Sequence, residues 1–293
     1  MSDREWKLAR RTLAYGERTL VMGIVNLTPD SFSLDGLKFD FQRAWEQARR
    51  MIEDGADIID IGGESTRPGA EIVSAEEELR RVSPFLDLMA EHLHARGEGI
   101  SEIPFSIDTT KAEVASVALR SGVEIVNDIS GLRFDPDIAS VAAQAEAGLI
   151  LMHSRGTFET MHRLEPVADI MKEVAGGLRR SISEAEHRGV ERTRIALDPG
   201  IGFSKSREQN VELIAKLDQL AREFQDFPLL VGTSRKSFIG HLLGDAPVEG
   251  RIHGTMASVA AAALRGAHVV RVHDVRAAVE TVRVVDAIKN AAV

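Results

Sequence analysis

Polar side chains recur at one kind of place in this chain, the last residues of short apolar runs. Asn26 closes the run from Leu20, Asp60 sits in Ile58-Ile59-Asp60-Ile61, and Asp108 closes Phe105-Ser106-Ile107-Asp108. Asn127 and Asp128 follow Ile125-Val126, Asp198 closes Ile195-Ala196-Leu197-Asp198, and Arg271 and His273 alternate with Val270 and Val272. Carboxylates and an amide of this kind suit a flat heterocycle rich in N–H donors, because one carboxylate can accept two hydrogen bonds from a ring edge. Arg67, Lys236, Arg271 and His273 supply cations that can neutralise an anionic leaving group or an acid tail. Asn26, beside the acidic loop that carries Asp30 and Asp35, offers oxygen atoms of the type that holds Mg2+. The chain has no cysteine, which excludes disulfides, thiolate catalysis and cysteine-ligated metals. It has no His-Glu-x-x-His run and no convincing Ser-His-Asp arrangement.

Each of these residues also has a plainer reading. Asp108, in Asp-Thr-Thr-Lys, could cap a helix. Asp198-Pro199-Gly200 could simply open a turn. Asn127 could bridge loop backbones, His273 could be structural, and Lys236 could be a solvated loop lysine. A ligand becomes the better account only if the endings converge, because buried polar groups without partners are costly. The stretch Gly62-Gly63-Glu64-Ser65-Thr66-Arg67-Pro68-Gly69 adds a second kind of signal. Its glycines free the backbone after the strand, and Pro68 keeps Arg67 out of the helical region, so a guanidinium is presented on a loop. That suits an anion; the alternative is a surface loop with a solvated arginine.

The elements that must position these residues alternate. The apolar runs predict strands over 20–26, 58–61, 105–108, 125–128, 149–152, 195–198, 229–232 and 269–272. Helical spacing follows each, over 41–54, 75–95, 111–120, 136–147, 167–188 and 207–223, then a short helix at 238–243 with a longer one at 252–265, and last 275–290. Eight strand–helix units with no linker or second module predict a single domain over residues 1–293, an α/β fold of the (β/α)8 TIM-barrel type. In such a barrel the strand C-termini line the active-site mouth, where the polar endings above would meet. Alternation along the strands points Ser106, Asp108, Arg271 and His273 inward and Phe105, Ile107, Val270 and Val272 outward. Residues 1–19 could form a short hairpin closing one end of the core, with a turn at Tyr15-Gly16-Glu17. Residues 28–38 read as a loop, and 96–103 as a connection at the opposite end from the mouth.

Lys+Arg 36 against Asp+Glu 45 gives a formal charge of −9, which argues against nucleic acid or an anionic membrane as partner but leaves room for a small anionic substrate. No apolar run reaches transmembrane length, and Met1-Ser2-Asp3-Arg4-Glu5 has no apolar signal region, so the expected setting is cytoplasmic.

With these residues in hand, the chain resembles the dihydropteroate synthase family of pterin-binding barrels. The resemblance rests on Asn26-Leu27-Thr28-Pro29-Asp30-Ser31-Phe32-Ser33, Gly62 to Gly69, Ser106-Ile107-Asp108-Thr109, Asn127-Asp128-Ile129, Asp198-Pro199-Gly200-Ile201-Gly202-Phe203, Ser234-Arg235-Lys236-Ser237 and Arg271-Val272-His273-Asp274, in the family's order over roughly residues 20–290. It implies a usually dimeric barrel that joins 6-hydroxymethyl-7,8-dihydropterin pyrophosphate to p-aminobenzoate with Mg2+, and that sulfonamides target. By matching position, Asp108, Asn127, Asp198 and Lys236 would read the pterin edge, Met152 would line its slot, and Arg271 would lie on its face. Arg271, His273 and Asn26 would engage the pyrophosphate, with Asn26 at the metal. Phe32, Thr66, Arg67, Pro68, Phe203 and Ser237 would form the p-aminobenzoate site. The resemblance assigns catalytic roles to Arg67, Lys236, Arg271 and His273. One departure stands out: where the family reads Ser-Asp-Gly-Gly after the phenylalanine, this chain reads Ser33-Leu34-Asp35-Gly36-Leu37. The rival readings are a methyltetrahydrofolate-binding methyltransferase domain, which has no need of the Ser-Thr-Arg-Pro-Gly loop, and a pterin-binding paralogue that has lost turnover.

Overall fold

Apolar runs this short cannot be buried singly, and here they pair side by side. In the computed structural model, which describes residues 4–28, 41–66, 70–94, 103–161 and 163–291, eight strands run in parallel in one sheet. They are β3 (Leu20–Asn26), β4 (Ile58–Gly62), β5 (Phe105–Asp108), β6 (Ile125–Asp128), β7 (Gly148–Met152), β8 (Ile195–Asp198), β9 (Leu230–Val231) and β10 (Val269–Val272). Their order is β8-β7-β6-β5-β4-β3-β10-β9, and a parallel bridge between Leu197 and Leu229 joins the two ends into a closed (β/α)8 barrel.

Helices α1 (Phe41–Glu53), α2 (Ala75–His94), α3 (Ala112–Arg120), α4 (Asp137–Gln144), α5 (Ile170–His187), α6 (Arg207–Ala215), α7 (Leu217–Glu223), α8 (Ser237–Leu242), α9 (Ile252–Leu264) and α10 (Val275–Ala291) follow the strands. Their apolar stripes face the sheet at helical spacing, as with Ala44, Trp45, Ala48 and Met51 of α1. The main core lies between helices and barrel, and it takes Phe105, Ile107, Val270 and Val272, the side chains expected to point outward.

A second apolar cluster plugs the barrel at the strands' N-terminal end. Strands β1 (Arg4–Lys7) and β2 (Thr12–Tyr15) form an antiparallel hairpin that brings Trp6, Leu8 and Tyr15 against Met22, Ile58, Ile125 and Ile150. Trp6 is fully buried, and its indole Nε1 donates to the Arg194 carbonyl (2.9 Å). Position 148 must be glycine for this plug to seat, since a Cβ there would lie 2.6 Å from Leu8 Cδ2.

The structure departs from expectation in three places. The hairpin exists, but its turn spans residues 8–11, where Leu8 N donates to Arg11 O (2.8 Å), while Gly16 lies beyond the second strand. The helix predicted over 207–223 is two, broken at Lys216 (φ −113°, ψ 16°). The strand predicted over 229–232 shrinks to Leu230–Val231, and there the Leu229 amide donates to the His268 side chain (Nδ1, 2.9 Å). Residues 29–40 and 95–102, which include nearly all of two predicted connections, lie outside the described residues.

Candidate active site

Strand register decides which polar endings meet. Gly62 lies between Asn26 and Asp108, Asp108 pairs with Asn127, and Met152 pairs with Asp198. The endings therefore form one ring at the C-terminal mouth.

At the centre of the ring lies Arg271. Its Nε donates to Asp60 Oδ2 (2.6 Å) and its Nη2 to Asp108 Oδ2 (2.7 Å), so the guanidinium is held between two carboxylates. Asp60 is fully buried and also accepts from Asn127 Nδ2 (3.0 Å). Burial works to lower the Arg271 pKa, but Asp60 and Asp108 overcome it and hold the guanidinium above its ordinary value. Burial pushes the Asp108 carboxyl up, against the pull of Arg271 and with Asp60 adding to the rise. Asp108 is thus not the cap of α3. The cap position of the helix is Lys111, which gives no side-chain cap, and Asp135 Oδ2 accepts the Ala112 amide (2.7 Å).

On the opposite side of the ring Asp198 is buried, and burial raises its pKa while Lys236 opposes the rise. Its Oδ1 accepts the Gly200 amide (2.7 Å), so the turn reading and the site reading hold for the same residue. Gly200 takes φ 70°, and a Cβ there would lie 2.0 Å from the His153 carbonyl oxygen. Lys236 is no solvated lysine. Its Nζ donates to the Ile201 carbonyl and lies 4.6 Å from the centre of the Phe203 ring. Burial pulls its amine down to about 8, although Asp198 works to raise it. Lys205 holds the backbone at Phe203: its Nζ donates to the Phe203 carbonyl (2.9 Å) and lies 3.1 Å from His153 Nδ1. Burial holds His153 down at about 2, with Lys205 adding to the effect, so its ring is neutral and can accept from the Lys205 amine.

His273 lies at the end of β10 with Nδ1 3.0 Å from Ser234 Oγ, which also accepts the His273 amide (3.1 Å). Met152 is buried beside Asp198, Asn26 is half-buried at the top of β3, Thr66 is half-buried, and Ser237 is exposed at the first residue of α8. Phe32, Arg67 and Pro68, like Asp30 and Asp35, lie outside the described residues. Among the described residues no three His, Asp or Glu side chains gather where they could hold a metal ion.

Chemically, the ring offers carboxylates and an amide to a donor-rich edge, a lysine beside Asp198, an arginine at the centre and a histidine at the rim. A model of the family described as "Pterin binding enzyme" matches residues 22–273. The chain belongs to the pterin binding enzyme family. Within that family, the dihydropteroate synthase of Synechocystis is 49% identical over 275 residues, covering 94% of this chain and 91% of that one. The structure of Xanthomonas albilineans dihydropteroate synthase with 4-aminobenzoic acid superposes with a TM-score of 0.87 at 39% identity, covering 98% of this chain and 99% of that one. The Burkholderia cenocepacia dihydropteroate synthase complexed with 7,8-dihydropteroate gives 0.84 at 36% identity, covering 99% and 98%.

Sequence reasoning gave no role to Asp60, the anchor of Arg271. An acid inside a four-residue apolar run was the available signal, since such a residue must find a partner to stay buried. Ser234, Lys205 and His153 were also missed, because their partners lie in other strand–helix units.

Proposed function

We propose that this protein is a dihydropteroate synthase, a transferase that condenses 6-hydroxymethyl-7,8-dihydropterin pyrophosphate with p-aminobenzoate to give 7,8-dihydropteroate and pyrophosphate. The observation that carries the reading is the ring of Asp108, Asn127, Asp198 and Lys236 around a guanidinium pinned by Asp60, in a chain of the pterin binding enzyme family. Those four residues read the donor-rich pterin edge, Met152 lines the slot, and Arg271 lies against the ring face. Because Asp60 and Asp108 fix the guanidinium beforehand, little reorganisation is needed when charge develops.

In the reaction the C–O bond at the pterin methylene breaks and its electron pair leaves with pyrophosphate. The aromatic amine then forms the C–N bond and loses a proton. Arg271, His273 and Asn26 meet the departing pyrophosphate, whose developing charge they offset. The amine is neutral and nucleophilic, so no strong general base is required. Phe32, Thr66, Arg67, Pro68, Phe203 and Ser237 hold p-aminobenzoate.

Mg2+ fits the donor set: Asn26 provides an oxygen, and an ion that keeps several waters and binds mainly phosphate oxygens needs no cage of three acids. When bound, it would withdraw charge from the leaving pyrophosphate. The reading includes one domain, a cytoplasmic setting and a homodimer; exposed Leu264, Val284 and Ile288 on α9 and α10 supply apolar surface for the last.

Incubation of the purified protein with the pterin pyrophosphate, p-aminobenzoate and Mg2+ is expected to release pyrophosphate and dihydropteroate in equal amounts. Pterin binding without either product would overturn the reading.

A further inference from the structure

At the mouth end of the barrel, one lysine joins three successive segments. Lys111 follows β5, and its Nζ donates to Glu64 Oε2 (2.9 Å) after β4 and to Glu78 Oε2 (2.6 Å) in the first turns of α2. Glu78 is fully buried, and the Glu64 and Lys111 side chains are only 6% and 19% exposed. One cation thus faces two carboxylates away from water, an arrangement that by itself is costly.

What the arrangement holds is the segment that leaves β4. Glu64 divides its carboxylate: Oε2 takes Lys111, while Oε1 accepts the amide of Val73, nine residues along (2.8 Å). The two ends of the segment carrying Thr66 are therefore tied by a single side chain. The near end has further anchors. Arg81 Nη1 donates to the Gly63 carbonyl (3.0 Å), and Gly63 packs so closely on α2 that a Cβ would meet Val82 Cγ1 at 2.7 Å. The far end is joined to the near end through Glu64, and the direction of that carboxylate is set by Lys111.

We propose that Lys111 is a positioning residue, which through Glu64 and against Glu78 fixes the approach to Thr66 at Glu64 and the return at Val73 for use of p-aminobenzoate. It deepens the reading above and rests on it. The lysine touches neither substrate. Its removal lets the Glu64 carboxylate turn and the segment's ends drift, and the second substrate finds its site mispositioned while the pterin ring of residues stays in place.

The test compares wild type, Lys111→Met and Lys111→Met/Glu78→Gln in steady-state turnover, with affinity for a pterin analogue by calorimetry and thermal melting alongside. Lys111→Met is expected to raise KM for p-aminobenzoate about tenfold or more, leave kcat at saturation within about threefold and leave pterin-analogue affinity within about twofold. The double variant relieves the juxtaposed acids and is expected to recover melting temperature but not KM. A folded Lys111→Met with unchanged KM, an equal loss of pterin affinity, or a double variant with wild-type KM would each overturn the proposal. If Lys111→Met does not fold, Glu64→Gln, which turns an amide N–H2 toward the ammonium, is read in the same way. Absence of wild-type turnover would instead sink the functional reading, and this proposal with it.

Discussion

At the N-terminal end of the barrel, Trp6, Leu8, Met22, Ile58, Ile125 and Ile150 fill the interior with carbon. One inward position further along β4 and β6 stand Asp60 and Asn127; Asp60 accepts from both Asn127 and Arg271, and this layer is filled with charge and polar groups. The two layers share strands, twist and register, and both are closely packed. They differ in what a lost side chain would leave behind. In the plug it leaves a cavity, while in the ring it leaves an unpaired charge. The lower layer is therefore chosen chiefly for volume, with the Trp6 indole bond to the Arg194 carbonyl as its polar exception, whereas the upper one must be solved as a set.

The largest effect is expected from breaking that set. Arg271→Met keeps the bulk but strands Asp60 and Asp108, so stability should fall by about 3–5 kcal/mol and turnover should be abolished, read by denaturant unfolding and product assay. Retained stability would mean that the carboxylates find other partners and that the layer is not solved jointly. In the plug, Trp6→Ala should cost about 3 kcal/mol in the same unfolding experiment, yet pterin-analogue affinity in the folded protein should not change. A loss of affinity there would show that the two layers are coupled and would undo the comparison. The smallest effect is a sharpening one. The Lys236 ammonium is present below its pKa of about 8 and lost above it, so kcat/KM for the pterin pyrophosphate should fall as pH rises through that value. In Lys236→Arg, whose side chain stays charged, the falling limb should be absent.

Legibility from sequence divides along the same line. Strands β3, β5, β6, β8 and β10 occur at their predicted bounds, because each is an apolar run fenced by turn formers. The inward direction of Asp108 and Arg271 followed from alternation, and the convergence of the endings followed from the barrel. The hairpin turn was misplaced because Gly16 was the only local signal. The actual turn carries no glycine and is held by Glu124, which accepts from the Arg10 amide (3.1 Å) and Arg11 Nε (3.0 Å) more than a hundred residues away. Asp60 was visible as an oddity, but its partners on β6 and β10 appear only once the strands are placed. No breaker marks Lys216, so periodicity ran one helix through two.

Leu229, the residue that bridges the two ends of the sheet, has a consequence for acid tolerance. His268 must be neutral at Nδ1 to accept the Leu229 amide, and burial, with Arg4 and Lys289 adding to it, pulls its pKa from 6.5 to about 4. Its folded pKa lies below its unfolded one, so the neutral form stabilises the barrel fully above about pH 6.5, and this contribution fades as pH falls through about 4. Protonation there turns the acceptor into a donor facing another donor, on the β10 side of Leu229, whose other side bridges to Leu197 and which leads into a two-residue strand. Acid that reaches His268 should therefore loosen the barrel beside its closing bridge, as a cask parts at its weakest stave.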